Sequence, residues 1–289
     1  MRMLFRLLAA LPLSVLQALG AFIAWLLWLI PNSRRRTAVT NVARCFPELT
    51  AAQQAQLARR AIGHEITTFV EMPLVWLGSD ARVRALVTEY RGLEIFDAAM
   101  KRGSGVLLLT LHQGSFEAGA IPLSATYPLA GIYKPQKGAL NDLSKQGRSR
   151  YTGILVPAVG GNVGAQLIAL MAKGYGVYIM PDQDPPEGRG VFAPFFGIAA
   201  HTPTLVHRIV KARPDVAIVL MWVERLPRAQ GFVVHFRAPS EGIRDADAVT
   251  SATALNADFE AFVRSCPEQY WWGYKRFRRR PPGEPPFYT

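Results

Sequence analysis

Cysteine and acidic residues are scarce in this sequence of 289 residues. Its two cysteines, Cys45 and Cys266, are too few for a disulfide framework and lack the spacing of metal ligands, so we predict no disulfide scaffold and no metal site. A reducing compartment fits this pattern. Asp and Glu number 21 against 33 Lys and Arg, which gives a net charge of +12. Such an excess indicates an anionic partner: a membrane surface, an acidic carrier protein or a nucleic acid.

Charge is absent altogether between Arg6 and Arg34. Residues 7–30 are almost wholly apolar, and a helix of that length can cross the hydrocarbon core of a membrane. A cleaved signal peptide is the alternative interpretation. However, the run is longer than a usual signal core, and it ends in the arginine triplet 34–36 instead of a small-residue cleavage site. The pattern therefore favours a retained membrane anchor, which either spans the membrane or lies in its interface.

Tryptophans near the basic end of this run support the same prediction. Trp25 and Trp28 lie near the end of the apolar run, where tryptophans typically anchor a helix at the membrane–water interface. By the positive-inside tendency, the arginines that follow predict that the rest of the chain lies on the cytoplasmic side. We predict an anchor helix in residues 1–33 and a single domain in residues 34–289. No internal repeat or long linker interrupts the second part, so one domain plus an anchor is the simplest partition.

Helical and strand-like segments alternate over most of the remaining chain, which predicts an α/β fold. Thr50 and Gln53 form a capping-box pattern that starts a helix running to about Leu77, with a kink or break expected at Pro73. The predicted strands are 87–90, 106–111, 129–133, 154–156, 176–180, 216–223 and 232–237. The predicted helices are 93–100, one from about 115, one through 140–143, 163–172 after a turn at 160–162, 201–211 and 248–264. We expect a mixed, largely parallel sheet flanked by helices.

The segment with the most chemical content begins where the predicted strand 106–111 ends. Residues 112–117 read His-Gln-Gly-Ser-Phe-Glu, and the strands of α/β sheets present their chemistry at their carboxyl ends. With a turn at Gly114 and an N-cap at Ser115, the acid falls in the first turn of a helix. On one continuous helix, positions 112 and 117 would point about 140° apart. The two side chains therefore meet only if the histidine precedes the helix.

His112 is then a candidate general base, and Glu117 is the carboxylate that would orient it. A loop histidine with one structural hydrogen bond is the plainer alternative. Ser115 as a nucleophile is a third interpretation, but the chain has no Gly-x-Ser-x-Gly elbow. The hydroxyl of a bound substrate is therefore the more natural source of the proton. Two other histidines, His64 and His201, are expected to pack or to lie at the surface.

Six further segments accompany this motif in order along the chain. They are Asn41 with Cys45-Phe46-Pro47, Tyr133-Lys134-Pro135, Arg148 with Arg150, Pro181-Asp182-Gln183-Asp184, Phe195-Phe196-Gly197 with Thr202, and Pro267-Glu268-Gln269-Tyr270-Trp271-Trp272. Together with residues 112–117, they resemble the late acyltransferases of bacterial lipid A biosynthesis, within the glycerolipid and lysophospholipid acyltransferase superfamily. The phosphatidylinositol mannoside acyltransferases are similar as well. The His-x4-acid pair alone is weakly specific, whereas the ordered set is a strong match.

The resemblance implies an O-acyltransferase on a glycerolipid acyltransferase-like α/β fold. His112 would deprotonate an acceptor hydroxyl, which attacks the thioester of an acyl donor, and Glu117 would orient His112 and balance its charge. In the family an arginine beyond the Lys-Pro segment lies at the active site. Arg150 is the first choice for that residue, and Arg148 is the second.

Two more residues are implied to bind substrate. Asp182 corresponds to a family acid near the site, and Lys134 would face the phosphate or sugar of the acceptor. Tyr274 departs from the pattern, because the family often carries a histidine there. The proposed base is a different residue, so the implied reaction class does not depend on that position.

The implied partners are an acyl carrier protein or acyl-CoA as donor, a glycolipid acceptor and an anionic membrane surface. No nucleic-acid motif accompanies the basic residues, so we expect no nucleic-acid partner. We also expect no cofactor, and a location at the cytoplasmic face of the bacterial inner membrane. A lysophospholipid or a glycolipid mannoside is the alternative acceptor. A non-catalytic membrane-surface protein on the same fold is the alternative from another class.

The end of the chain combines basic and aromatic residues. Residues 275–280 include five Lys and Arg side chains, directly after Trp271 and Trp272. Such a patch suits an anionic membrane, a phosphorylated lipid or an acidic carrier protein. A solubilising tail is the plainer alternative, and it suits the stretch after Pro281 best.

Overall fold

A computed structural model describes residues 2–158 and 162–288, so the glycines of the turn predicted at 160–162 lie outside the described residues. Nine strands occur in the described part of the chain. They are β1 (Val87–Arg91), β2 (Val106–Leu109), β3 (Leu129–Tyr133), β4 (Ile154–Pro157), β5 (Gly176–Ile179), β6 (Gly190–Phe195), β7 (Ile198–Pro203), β8 (Ala217–Arg225) and β9 (Phe232–Arg237).

Eleven α-helices occur in the same described residues. They are α1 (Arg2–Ala10), α2 (Leu13–Leu29), α3 (Ser33–Cys45), α4 (Ala51–Leu77), α5 (Asp80–Ala85), α6 (Leu93–Lys101), α7 (Phe116–Leu123), α8 (Ala139–Arg148), α9 (Val163–Met171), α10 (Leu205–Ala212) and α11 (Ala248–Ser265).

Seven strands form one sheet in the order β1-β9-β8-β2-β5-β3-β4. The five strands from β8 to β4 are parallel, while β9 pairs antiparallel with β8 and β1 runs parallel to β9. This confirms the prediction of an α/β domain with a mixed, largely parallel sheet. Strand β2 is fully buried between β5 and β8, as its unbroken apolar sequence predicts for a central strand. The carboxyl ends of β2, β5, β3 and β4 therefore meet at one edge of the sheet.

A short antiparallel hairpin of β6 and β7 lies outside this sheet and was not predicted. Its turn carries Phe196 and Gly197, both with positive φ. The helix predicted over 201–211 is wrong at its start, because β7 continues to Pro203 and α10 begins only at Leu205. The reason is local: the turn at Gly197 starts a second strand, and His201 pairs with Phe192 in it.

Helix α4 is the longest in the described residues and forms the platform for the N-terminal segment. Its predicted capping box is present, with Thr50 and Gln53 bonded in both directions. The break predicted at Pro73 does not occur, and the helix runs through that residue to Leu77. Helices α1, α2 and α3 all pack against it.

The predicted single anchor helix is instead broken at Pro12, where proline lacks the backbone N–H and disfavours a helical residue before it. In the described residues, no single helix is long and apolar enough to cross a membrane. Taken together, α2 and α3 have the length and apolar composition of a membrane span, but the chain bends by 89° between them. Helix α2 is also not free of the domain, because it buries Leu16, Gly20 and Ala24 against its neighbours.

Residues 282–286 after Pro281 are exposed, as expected of a solubilising tail, but the two residues that follow them are packed. Phe287 is buried, and the hydroxyl of Tyr288 donates to Asn41 Oδ1 at 2.7 Å. Asn41 Nδ2 in turn donates to the carbonyls of Trp272 and Tyr274 at 2.8 and 2.9 Å. One buried asparagine on α3 thus links the two ends of the chain.

The contact of α2 with α4 should depend on Gly20. A Cβ atom at this position would come within 2.7 Å of both Cα and Oγ1 of Thr67. We therefore expect Gly20→Val to force the helices apart and to lower the free energy of unfolding by about 1–3 kcal/mol, the usual cost of overpacking. Denaturant titration measures it. Ala18→Val, at an exposed position of the same helix, is the control, and an equal effect of both substitutions would contradict the assignment.

Candidate active site

The loop that carries His112 is shaped by a tight turn after β2. The N–H of Gln113 donates to the carbonyl of Leu111 at 2.8 Å, so the chain reverses at His112. Gly114 follows with φ of +59°, and a Cβ atom there would lie 1.8 Å from the carbonyl oxygen of Val223. Only glycine fits this position. The predicted turn at Gly114 is present, and α7 begins at Phe116.

Asp182 is the hydrogen-bond partner of His112. Its Oδ1 lies 2.7 Å from His112 Nδ1, and its Oδ2 accepts from the backbone N–H of His112 at 2.9 Å. Leu109 of β2 pairs with Ile179 of β5. His112 lies three positions after Leu109, and Asp182 lies three positions after Ile179, so the two side chains face each other. With a proton on Nδ1 directed at the carboxylate, Nε2 is left as the basic nitrogen.

The electrostatics of this pair favour a charged Asp182. Burial acts to raise the pKa of its carboxyl group, but the charge of His112 and both hydrogen bonds from it outweigh burial and hold the pKa below its ordinary value. The carboxylate is almost fully buried, whereas 14% of the His112 side chain is exposed. An ionised acid behind a partly accessible imidazole is the arrangement of a general base with its orienting group.

The expected contact between His112 and Glu117 is replaced by another. Glu117 Oε1 accepts from Arg148 Nε at 2.9 Å and also from Arg148 Nη2, while Oε2 accepts from Trp76 Nε1 at 3.2 Å. Burial opposes the charge of Arg148, but the adjacent Glu117 outweighs it and raises the arginine pKa. The carboxylate in the first turn of α7 therefore points towards α4 and α8, and Asp182 takes the place beside the imidazole.

His112 and Glu117 both line a cavity of about 210 Å³ between α7 and strands β3, β4 and β5. Two cationic residues, Lys134 and Arg148, also line this cavity. Much of the remaining lining is apolar: Phe116, Ala120, Ile121, Leu129, Ile132, Ile154, Leu155 and Met180. The cavity therefore combines charged groups with a largely apolar lining.

Arg150, the first choice for the active-site arginine, lies away from this cavity. Its Nη2 donates to the carbonyl of Gly78 at 2.8 Å and to Asp80 Oδ1 at 2.7 Å, and its Nη1 contacts the carbonyls of Val75 and Trp76. These bonds cap the carboxyl end of α4. Of the Arg-x-Arg pair, the structure places Arg148 on the cavity wall and Arg150 in this capping position.

Aromatic side chains flank His112 and were not predicted as part of the site. The ring of His112 lies 5.2 Å from that of Phe116 and 5.0 Å from that of Trp271, between ring centres. The backbone N–H of Trp271 also donates to the carbonyl of His112 at 3.1 Å. The motif at 267–272 was the available signal, but a single sequence does not reveal which loop such a segment contacts.

The second acid of the Asp-Gln-Asp segment holds the C-terminal basic residues. The Asp184 carboxylate contacts His201 Nδ1 at 2.8 Å, Arg278 Nη2 at 3.0 Å and Arg279 Nε at 3.3 Å. Its backbone N–H donates to the hydroxyl of Tyr274 at 3.0 Å. Part of the predicted basic patch is therefore neutralised within the fold. Among residues 2–158 and 162–288, no group of three His, Cys, Asp or Glu side chains is arranged to hold a metal ion.

Comparisons with known proteins identify the family of the chain. The model of the family "Bacterial lipid A biosynthesis acyltransferase" matches residues 2–279. The chain is 26% identical over 279 residues to the lipid A biosynthesis palmitoleoyltransferase of Escherichia coli, and equally to the lauroyltransferase of the same organism, covering 96% of this chain and 90% of each relative. It is 25% identical over 256 residues to the myristoyltransferase, covering 88% of this chain and 78% of that relative.

The match of the family model extends over nearly the whole chain, from the N-terminal helices to the C-terminal basic segment. Three relatives whose names specify three different acyl groups match over most of their own length. The chain therefore belongs to the bacterial lipid A biosynthesis acyltransferase family and is an acyltransferase.

Proposed function

We propose that this protein transfers a fatty acyl chain from an acyl carrier protein or acyl-CoA to a hydroxyl group of a lipid A precursor at a membrane surface. The observation that carries the proposal is the hydrogen bond of 2.7 Å between His112 Nδ1 and Asp182 Oδ1, with His112 in the lining of a largely apolar cavity. Such a site offers a base for a hydroxyl and space for a hydrocarbon chain in one place.

The reaction starts with proton removal by His112. Its Nε2 takes the proton of the acceptor hydroxyl while the oxygen attacks the carbonyl carbon of the thioester, and Asp182 stabilises the imidazolium that forms. The tetrahedral intermediate then expels the sulfur as its C–S bond breaks. The imidazolium returns the proton to the leaving thiolate, so the products are an ester and a free thiol.

Arg148 is the group that we assign to the negative charge of the substrate or intermediate. It lines the cavity together with His112, and Glu117 and Trp76 fix its surroundings before substrate binds. A guanidinium held in place in this way stabilises a developing oxyanion without the cost of reorganisation. Lys134, on the same wall, is assigned to a phosphate or sugar oxygen of the acceptor.

An apolar surface of the N-terminal helices supports the membrane assignment. The exposed large hydrophobic residues within α1 and α2 are Met3, Leu4, Leu7, Val15, Phe22, Trp25, Leu26, Leu27 and Leu29. Arginines at 34–36 follow directly on α3, where they suit anionic headgroups. Since α2 also packs on α4, we propose that these helices lie in the membrane interface and hold the domain against it.

The proposed base is tested directly by His112→Ala. Loss of the imidazole should lower acyl transfer by about 10²–10⁴-fold, the usual contribution of a general base, while the thermal unfolding temperature stays near that of the unmodified protein. The assay follows transfer from a labelled acyl carrier protein to a lipid A precursor. Near-normal transfer by the folded variant would refute the mechanism. Transfer to a lysophospholipid but not to the lipid A precursor would show that the lysophospholipid is the acceptor.

The roles of the two carboxylates are separated by Asp182→Asn and Glu117→Gln. Nitrogen-15 NMR of the histidines should show a hydrogen-bonded Nδ1–H of His112 that disappears in Asp182→Asn and persists in Glu117→Gln, because only Asp182 contacts that nitrogen. Asp182→Asn should also lower kcat by about 10²–10⁴-fold. Loss of the resonance in Glu117→Gln alone would restore the original assignment of Glu117 as the orienting acid.

The membrane surface is tested by replacing two exposed residues of α2. Phe22→Ser combined with Leu29→Ser removes apolar area that would be buried in the interface, so the partition coefficient to anionic phospholipid vesicles should fall at least about tenfold. Vesicle flotation measures this coefficient. Val249→Ser, at an exposed apolar position of α11, is the control and should change nothing. Equal binding by all three proteins would contradict the assignment.

A further inference from the structure

A buried ion pair lies beneath the loop that carries His112. Arg225, the last residue of β8, donates from Nε and Nη2 to the two carboxylate oxygens of Glu71 at 2.9 and 2.7 Å. Both side chains are almost wholly buried. Desolvation of the two charges offsets much of their attraction in a buried pair of this kind. A protein with apolar residues of the same volume in their place is often equally stable. Its presence on the central α4 helix therefore calls for a reason other than stability.

The rest of the Arg225 guanidinium is also held. Its Nη1 lies 2.9 Å from His64 Nδ1. Burial and the neighbouring positive charge of Arg225 lower the pKa of His64 to about 3, so this imidazole is neutral and its Nδ1 accepts the hydrogen bond. Gln17 of α2 completes the cluster by donating to Glu71 Oε1 at 2.9 Å. The guanidinium thus has one fixed orientation.

Two residues connect Arg225 to the His112 loop. Thr68 accepts from Arg225 Nη2 at 2.7 Å, and its hydroxyl lies 2.9 Å from the carbonyl oxygen of Gly114. The Gln269 side chain accepts from the backbone N–H of Arg225 at 2.7 Å and donates to its carbonyl at 2.9 Å. The backbone carbonyl of Gln269 accepts from the N–H of Gly114 at 2.9 Å. The N–H and the C=O of Gly114 are therefore both held by residues bound to Arg225.

Gly114 has little room to move in any other direction. Its backbone packs so closely on Val223 that no Cβ atom fits, and it lies two residues after His112. On the opposite side of the loop, the backbone N–H of His112 is bonded to Asp182. The loop is thus held at His112 by Asp182 and by the backbone N–H of Trp271, and at Gly114 by the Arg225 cluster.

We propose that Arg225 and Thr68 are positioning residues, which set the place of the His112 imidazole through the backbone of Gly114. None of Arg225, Glu71 and Thr68 is among the residues that line the cavity, so we assign the cluster an effect on geometry. This inference rests on the proposed function, because it assigns the cluster a role in the same transfer step. It predicts a change in turnover without a change in substrate binding.

The test compares two adjacent threonines of α4. Thr67 and Thr68 each lie within hydrogen-bond distance of the carbonyl four residues earlier, but only Thr68 also reaches Gly114 and Arg225. Thr68→Val keeps the shape and removes the hydroxyl. We expect it to lower kcat about tenfold with KM for donor and acceptor unchanged, whereas Thr67→Val and Thr68→Ser keep near-normal kcat.

Hydrogen–deuterium exchange provides a readout that does not depend on activity. Peptides covering residues 111–117 should exchange at least about tenfold faster in Thr68→Val than in the unmodified protein, with no such change in Thr67→Val. Unchanged kcat and exchange in Thr68→Val, or an equal loss in Thr67→Val, would overturn the inference. Absence of acyl transfer in the unmodified protein would instead count against the proposed function, and the exchange result would still decide the role of Thr68.

Discussion

The hydrogen bond between His112 and Asp182 depends on two neighbouring strands that end at the same level. Because β2 and β5 are parallel and pair in register, residues three positions beyond Leu109 and Ile179 come face to face at the sheet edge. The turn at Gly114 then directs the chain into α7, which brings Glu117 onto the cavity wall beside Arg148. A shift of the register between β2 and β5 would separate the imidazole from its acid, so the His112–Asp182 contact depends on the pairing of the central strands.

Around this contact the structure places charges in closed groups. Glu117 pairs with Arg148, Glu71 pairs with Arg225, and Asp184 pairs with Arg278 and Arg279 of the C-terminal segment. Buried charges are tolerated only when they are paired and hydrogen-bonded, and each of these groups meets that condition. The basic excess of the sequence is therefore partly internal, and the N-terminal arginines beside the apolar helices are the part that best suits a membrane.

Sequence patterns were sufficient to predict the sheet and the position of His112 after a buried strand, because an apolar run that stops at a polar residue is a local feature. The partner of His112 was missed because it lies 70 positions away and depends on strand register, which one chain does not reveal. Proximity in sequence favoured Glu117 over Asp182. The positions of Arg148 and Arg150 could not be predicted for a related reason. Two positions along the chain at the end of α8 decide whether a side chain reaches the cavity or the end of α4.

The N-terminal segment illustrates the same limit on a larger scale. Its composition predicted apolar helical structure, which is present, but Pro12 divides the segment into two helices. Gly20 also allows α2 to approach α4 closely. Hydrophobic length alone does not distinguish a free anchor from a helix that is shared between the domain and a lipid surface. Pro12 and Gly20 determine how this segment breaks and packs, and the effect of Gly20 is evident only when its packing partner on α4 is known.

The most direct measurement of the central claim is mass spectrometry of lipid A from cells that lack this gene, complemented with the unmodified chain or with Asp182→Asn. Acyl transfer that depends on the His112–Asp182 contact predicts that lipid A loses the mass of one acyl chain without the gene. The unmodified chain should restore that mass, and Asp182→Asn should not. Unchanged lipid A in all strains, or full restoration by Asp182→Asn, would contradict it.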